Sequence, residues 1–282
     1  MKEEVIWGIV VSVSALLVII LLIRSGTSQS PAMSARSIAN GHCASLAMPG
    51  KAWSRDCIIL HLVLYSRSPF YDAMMEQTRR YYKTLPLVRT VYYVFDDVEH
   101  PTLEEDLLRI PGRESYIPGI LDKTLEAFKF FGRELDRYTG VVRSNVSTLV
   151  PFESLRERLF ERSGELHYGG TVVANYSHNE VPDWPVERGI MPFVHGTCIF
   201  LSPCLVKHIL SEINRVNRKY VDDLSLGLFV AECTAWSPVR VGYESTEFDP
   251  EATAYRHRTD HDRFRDVEAI RFKVDSFLKT MS

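Results

Sequence analysis

Residues 57–65 read Cys57-Ile-Ile-Leu-His-Leu-Val-Leu-Tyr65, and this run sets the fold class. It is almost continuously apolar rather than alternating, which is typical of a β-strand that is covered on both faces. Ser68-Pro69 follows and supplies a helix N-cap with a proline at the first helical position. Side chains over 71–82 then recur at helical spacing. The segment therefore predicts a strand followed by a helix, the repeating unit of α/β domains.

The alternation of strand and helix continues down the chain. Further strands are predicted at Thr90–Phe95, Tyr138–Arg143, Tyr168–Ala174 and Phe193–Leu201. Further helices are predicted from Thr102 with Glu105 in a capping box, near Pro118, at Phe152–Glu161, from Ser202 to about Asn217, and from Asp223. This order predicts an α/β, Rossmann-like fold with a mostly parallel sheet flanked by helices. In such sheets ligands bind beyond the carboxyl ends of the strands.

The N-terminus has a different character. Residues 5–23 carry no charge, and nineteen helical residues span about 28 Å, close to the thickness of a bilayer's hydrocarbon core. A cleaved signal peptide would need a basic start and a shorter apolar run, but two glutamates precede this one. The chain is therefore expected to comprise a tail at 1–4, an uncleaved transmembrane helix at 5–23, a flexible stem at 24–55 and a folded domain at 56–282.

The composition bears on the class of partner. The formal net charge is −3, whereas general nucleic-acid binding requires clustered positive charge. No nucleic-acid partner is therefore expected, although a local group of arginines would suffice for a small anionic ligand. The five cysteines show no Cys-x-x-Cys spacing, so a structural zinc site is not predicted.

Polar residues follow two of the predicted strands. Asp96-Asp97 come directly after one strand and would either ligate a divalent cation through hard oxygen atoms or form an ordinary polar turn. Arg143 and Asn145 end another strand and are followed by Ser147 and Thr148. This group would either bind a phosphate or sugar hydroxyls, or simply end the strand and cap the next helix.

Two later segments allow a structural and a functional interpretation each. Asp222-Asp223 open a predicted helix, where a carboxylate would either cap the backbone or act as general base toward a hydroxyl nucleophile. The stretch 255–265 contains His257, His261 and four arginines. It would be either a solvated basic loop or a loop that closes over a diphosphate.

Several of these segments occur in an order that resembles a known group of enzymes. The motifs are Glu114-Ser-Tyr-Ile-Pro-Gly-Ile-Leu-Asp-Lys-Thr124, His195-Gly-Thr-Cys-Ile-Phe-Leu-Ser202 and Asp222-Asp-Leu-Ser-Leu-Gly227. Together they resemble type II membrane glycosyltransferases with the GT-A fold, near glycosyltransferase family 31 (β-1,3-galactosyltransferase/fringe-like) and its viral and algal relatives. The resemblance covers about residues 57–265.

The resemblance implies an activity and a role for each motif. The activity is transfer of a sugar, with inversion, from a nucleotide-sugar donor to an acceptor hydroxyl, with Asp222 or Asp223 as the catalytic base. The remaining implied roles are donor or phosphate binding by Arg143, Asn145, Arg256, His257 and Arg258, and acceptor binding by His195 and Gly196.

A metal cofactor is left open by one departure from the family pattern. Enzymes of this kind usually hold Mn²⁺ with an Asp-x-Asp element, whereas this chain has Arg143-Ser144-Asn145 in its place. Either Mn²⁺ is held by fewer ligands, with Asn145 and His257 preferred over Asp96 and Asp97, or basic residues replace the metal. The missing carboxylates also leave open a catalytically inactive domain of this type that binds glycans or tethers a partner.

The resemblance also implies a location. The acceptor would be a glycan, glycoprotein or glycolipid, and residues 5–23 would be a type II signal anchor in the Golgi or ER membrane. The tail would lie in the cytoplasm and the catalytic domain in the lumen. The sequon Asn175-Tyr176-Ser177 is then the expected N-glycosylation site.

Overall fold

The computed structural model describes residues 58–161, 166–174, 191–249, 251–259 and 261–281. Its large sheet is built from β1 (Ile59–Leu64), β2 (Val88–Asp96), β3 (Thr102–Glu104), β4 (Leu107–Pro111), β5 (Gly140–Asn145), β7 (Tyr168–Ala174), β8 (Pro192–Leu201) and β9 (Val239–Arg240). Between β5 and β7 in the chain, β6 (Thr148–Leu149) joins β10 (Tyr243–Ser245) and β11 (Ala252–Arg256) in a small second sheet. The described residues thus form an α/β domain around one large sheet.

The helices of the described residues are α1 (Pro69–Tyr82), α2 (Gly119–Phe131), α3 (Phe152–Glu161), α4 (Pro203–Ser211), α5 (Asp222–Cys233) and α6 (Arg263–Met281). Two of the predicted serine caps are confirmed. The Ser68 side chain accepts a hydrogen bond from the Tyr71 amide at 3.3 Å, and the Ser202 side chain accepts one from the Leu205 amide at 3.1 Å. Each serine is followed by a proline at the first helical position, as expected.

The large sheet of the described residues is mostly parallel, as predicted, but β3 and β8 run in the opposite direction to its other strands. Its order is β3-β4-β2-β1-β5-β8-β7-β9, and the strands β4-β2-β1-β5 are parallel to one another. Beyond β5, only β8 is reversed among the described strands, since it pairs antiparallel with both β5 and β7, whereas β9 pairs parallel with β7. As a result, the start of β8 lies at the same edge of the sheet as the carboxyl end of β5.

The helices cover both faces of the sheet, which explains the continuous apolar run in β1. Ile59 and Val63 point into a core shared with α1, α3 and α6. Leu60 and Leu62 point into the opposite core, shared with α2, α4 and α5. These four side chains are at most 1% exposed, so alternate residues of one strand support two separate apolar layers.

Two local predictions are wrong. The expected capping box of Thr102 and Glu105 is a tight β-hairpin, in which β3 pairs antiparallel with β4. Glu105 sits in its turn with φ of 54°, and the period-two pattern of Leu108 and Ile110 places both side chains in the core. The helix expected to reach Asn217 ends at Ser211 and is followed by a short 3₁₀ turn.

The predictions for the tail, the transmembrane helix, the stem and Asn175 concern residues outside those described. Among the described helices, none has both the length and the apolar character that crossing a bilayer requires.

His61, in the centre of β1, generates a prediction about acid stability. Burial lowers its pKa from the ordinary 6.5 to about 3, and its ring nitrogens contact the hydroxyls of Thr90 and Ser144. As the pH falls below 6.5, the unfolded chain therefore binds a proton that the folded chain excludes. The stability due to neutral His61 is then lost at about 1.4 kcal/mol per pH unit down to about pH 3.

Urea unfolding at a series of pH values checks this expectation. The stability advantage of the native chain over His61→Gln should shrink as the pH falls below 6.5. His100→Gln is the control, because the His100 side chain is 83% exposed. An advantage of the native chain over His61→Gln that stays constant with pH would contradict a neutral, buried His61.

Candidate functional site

A cluster of polar and charged side chains lies where the carboxyl end of β5 meets the start of β8. Ser144 of β5 pairs with Cys198 of β8, so the segment His195–Thr197 lies just beyond this pairing at the same edge. The N-terminus of α5 approaches the segment from one side. Glu244 of β10 and Arg256 of β11 approach it from the other. Most of the residues predicted to form a site are brought together here.

Arg143 and Asp222 form a buried ion pair at the base of this cluster. The Arg143 Nη2 lies 2.6 Å from Asp222 Oδ2, and the side chains are 1% and 8% exposed. Arg143 Nη1 also donates to the Gly196 carbonyl, which ties β5 to β8. Burial raises the pKa of the Asp222 carboxyl, whereas the charge of Arg143 opposes that change. Arg143, predicted to hold donor phosphate, is therefore engaged by the protein itself.

Asp223 has a different environment from its neighbour. It is half-buried, and its Oδ2 accepts the Gly196 amide at 2.7 Å. Its Oδ1 accepts the Leu224 amide at 2.8 Å. Neither aspartate is the helix N-cap, since that position is Val221, which makes no side-chain cap bond. Both carboxylates sit in the first turn, where the helix dipole stabilises negative charge.

Two glycines allow α5 to approach β8 this closely. A Cβ on Gly196 would lie 2.9 Å from Asp223 Oδ2, and a Cβ on Gly227 would lie 2.4 Å from the Cβ of Phe193. The resemblance implied acceptor binding at Gly196. In the structure the group that approaches it is the Asp223 carboxylate.

On the other side of this segment, His195 and Thr197 point toward Glu244. His195 Nδ1 lies 2.8 Å from Glu244 Oε1, and the Thr197 hydroxyl donates to Glu244 Oε2 at 2.5 Å. Burial acts to raise the pKa of Glu244, but the contacts with His195 and Thr197 and the nearby Arg256 outweigh it, so the pKa is lowered. Glu244 is therefore an ionised carboxylate at physiological pH.

Glu244 also lines a basic cavity of about 490 Å³. The cavity wall consists of Glu244, Ser245, Thr246, Arg256 and Arg258. Arg256 is half-buried and lies 3.6 Å from Glu244 Oε2. Arg258 is exposed and forms no ion pair with any residue that the structure describes. Two arginines against one glutamate, with two hydroxyls, suit a ligand that carries negative charge.

His257 and Asn145 do not make a convincing metal site. His257 donates its amide to the Ser147 carbonyl at 3.0 Å, which places it beside the end of β5. Its Nε2 is buried without a hydrogen bond, and burial together with the charge of Lys273 lowers its pKa. A neighbouring cation disfavours metal binding, and no group of three His, Cys, Asp or Glu suited to a metal occurs in the described part of the chain. Among the described residues, His257 and Asn145 therefore do not fit Mn²⁺.

Asp96, another of the predicted metal ligands, forms ion pairs with two arginines. Its Oδ2 lies 2.5 Å from Arg67 and 2.8 Å from Arg109, and these contacts lower its pKa to about 2. Asp97 follows it outside the strand. A second cavity, of about 510 Å³, opens at this end of β2, and its wall includes Phe95, Arg113 and Arg218.

The contacts of three residues, Thr197, Glu244 and Lys123, could not be predicted from the sequence. Thr197 and Glu244 were not predicted, because they are far apart in the sequence and meet only through tertiary structure. Lys123, part of the motif that begins at Glu114, is fully buried and bonds both Glu114 oxygens at 2.7 and 2.8 Å. It also donates to the Tyr65 carbonyl at 2.7 Å, so this motif fixes the loop after β1.

Comparison with known proteins gives structural likenesses only. No protein-family model and no curated protein sequence matches the chain. Among solved structures, 4-diphosphocytidyl-2C-methyl-D-erythritol synthase from Anaerococcus prevotii DSM 20548 aligns with a TM-score of 0.44 and 12% identity, over 78% of this chain and 99% of that chain. A glycosyltransferase involved in glycosylation of the major capsid of PBCV-1 aligns with a TM-score of 0.44 and 10% identity, over 76% and 99%.

The buried ion pair generates a prediction about stability. Asp222→Ala should lower the free energy of unfolding by about 3–5 kcal/mol, because it leaves the Arg143 charge buried and unpaired. The double variant Arg143→Met/Asp222→Ala should lose less than the sum of the losses in Arg143→Met and in Asp222→Ala, since it removes both charges. Urea unfolding of the single and double variants measures this. A double variant that loses the sum of the two single losses would show that the pair does not act as a unit.

Proposed function

We propose that the chain is a glycosyltransferase that moves a sugar from a nucleotide-sugar donor to an acceptor hydroxyl. The observation that carries the proposal is the position of Asp223, a half-buried carboxylate held by the Gly196 amide. On the other side of the segment His195–Thr197 lies the arginine-lined cavity. The segment His195–Thr197 thus has a carboxylate on one side and an arginine-lined cavity on the other, which supports a base and a leaving-group site.

In this proposal Asp223 is the general base. It takes the proton of the acceptor hydroxyl while that oxygen attacks the anomeric carbon of the donor. The bond between the anomeric carbon and the phosphate oxygen breaks, and the electron pair leaves with the nucleoside diphosphate. A single displacement of this kind inverts the anomeric centre. Asp222 is assigned to the ion pair with Arg143 rather than to proton transfer, because its carboxylate is buried in that pair.

Arg256 and Arg258 stabilise the charge that develops on the leaving diphosphate. Charge-assisted hydrogen bonds from arginine to phosphate are short and strong, and pre-placed charges are the largest contribution in many transfer reactions. Glu244 holds Arg256 at the cavity, while Arg258 is left available to a ligand. Since the described residues do not fit Mn²⁺, no step is assigned to a metal.

The membrane anchor at 5–23 and the lumenal Golgi or ER location belong to the same proposal. They rest on the charge-free apolar run and on the resemblance to type II enzymes. Protease protection of the full-length chain in microsomes tests the orientation. Cleavage of the folded domain by added protease in intact vesicles would contradict a lumenal domain.

Asp223→Asn tests the base. With the full-length chain and a panel of UDP- and GDP-sugars, this substitution should lower kcat by about a hundredfold or more, because the amide cannot accept the proton. Asp275→Asn on α6 is the matched control, since Asp275 pairs with Arg80 on the surface. Unchanged turnover in Asp223→Asn would remove Asp223 from this role. If the native chain neither turns over nor binds any donor, with or without Mn²⁺, the proposed activity itself is wrong.

Arg258→Ala tests the anion site. Affinity for the nucleoside diphosphate product should fall about tenfold, because one charge-assisted hydrogen bond is lost. Stability should not change, since Arg258 is exposed. Isothermal titration in EDTA measures the affinity without a divalent cation. Arg265→Ala is the matched control, because Arg265 belongs to the same basic stretch but does not line the cavity. Equal losses in the two variants would indicate only a general charge effect.

A further inference from the structure

His195, Thr197 and Glu244 form a closed hydrogen-bonded triangle. His195 Nδ1 lies 2.8 Å from Glu244 Oε1 and 2.7 Å from the Thr197 hydroxyl oxygen. That hydroxyl lies 2.5 Å from the other Glu244 oxygen. Gly196, between the two β8 side chains, holds Asp223 on the opposite side. A single residue of β8, Gly196, therefore separates the triangle from the proposed base Asp223.

Counting protons in the triangle fixes the tautomer of His195. The Glu244 carboxylate only accepts hydrogen bonds, and the single Thr197 proton is needed for Oε2. Nδ1 must therefore carry a proton, because a bare nitrogen lone pair at 2.8 Å from a carboxylate oxygen would repel it. Neutral His195 has a single ring N–H, which is therefore on Nδ1, and Nε2 carries a lone pair.

Nε2 is available to a ligand. The His195 side chain is 28% exposed, and its Nε2 makes no hydrogen bond to any residue that the structure describes. A lone pair on nitrogen attracts a hydroxyl donor and repels a phosphate oxygen. The neighbouring cavity has the opposite preference, because Arg256 and Arg258 attract anions. Nε2 and the cavity together therefore suit a ligand in which a sugar hydroxyl lies close to a phosphate.

We propose that His195 Nε2 accepts a hydrogen bond from a sugar hydroxyl of the substrate, and that Glu244 and Thr197 are positioning residues that hold His195 in the required tautomer. This inference rests on the proposed function and adds a hydroxyl-recognising residue to it. The hydroxyl belongs either to the donor sugar or to the acceptor, and the kinetic test distinguishes the two sources.

The tautomer is tested on the full-length chain without substrate. Nitrogen-15 NMR of the histidine-labelled protein, in mildly alkaline buffer, distinguishes a protonated from an unprotonated ring nitrogen. His195→Asn identifies the His195 signals. Nδ1 should be protonated and Nε2 bare, and Glu244→Gln should introduce the other tautomer, because the amide can donate to Nδ1. Glu247→Gln, at an exposed position nearby, should leave the signals unchanged. A native His195 protonated on Nε2 would overturn the inference, whether or not the chain is a transferase.

Kinetics test the contact with sugar. Asparagine at 195 keeps a donor near the position of Nδ1 but has no counterpart of Nε2. His195→Asn should therefore lower kcat/KM about tenfold, the effect of one lost hydrogen bond, while thermal unfolding stays close to native. A loss in donor hydrolysis without acceptor assigns the hydroxyl to the donor sugar. A loss confined to transfer assigns it to the acceptor.

Three further outcomes are decisive. An unchanged kcat/KM in His195→Asn would overturn the contact with sugar. The appearance of the second His195 tautomer in Glu244→Gln, with the Glu247→Gln spectrum unchanged, supports positioning by Glu244, whereas an unchanged tautomer in Glu244→Gln would overturn it. If the native chain is inactive with every donor, the sugar contact falls with the proposed function, while the NMR result still decides the tautomer of His195 and the role of Glu244.

Discussion

The ion pair between Arg143 and Asp222 is the constraint on which the site depends. Arg143 is among the largest fully buried side chains of the described residues, and an unpaired charge at such a place would be very costly. The guanidinium can be satisfied only if the end of β5, the carbonyl of Gly196 and the start of α5 are all present. Because folding must assemble these three elements together, the position of Asp223 is settled before any ligand binds.

The same constraint explains how two adjacent aspartates take different roles. Successive residues of an α-helix are rotated by about 100°, so Asp222 and Asp223 cannot face the same surroundings. Asp222 turns inward to Arg143 and is buried, while Asp223 reaches the Gly196 amide and is only half-buried. The charge inside the fold is thereby neutralised by one carboxylate, and the second remains available for chemistry.

Features with a local cause could be predicted from the sequence, whereas features that depend on tertiary contacts could not. The apolar run of β1 and the serine caps of α1 and α4 were predictable, because burial on two faces and orphan helix amides have local causes. The hairpin at Thr102 was missed because a tight turn resembles a capping box in sequence. The reversal of β8 and the contacts of Glu244 depend on residues that are distant in the chain, and no local pattern records them.

The close approach of α5 to β8 has a consequence for how this sequence can diverge. Asp223 and Gly227 are one helical turn apart and both face β8, where Gly196 and Phe193 receive them. A larger residue at 196 or 227 would push the helix outward and carry the carboxylate with it. The four-residue spacing between Asp223 and Gly227 is therefore a steric requirement for packing α5 against β8. In related sequences, Gly196 and Gly227 should therefore be retained together or replaced together. A related chain that retains both glycines should keep α5 at the same position against β8, even where other residues of the site differ.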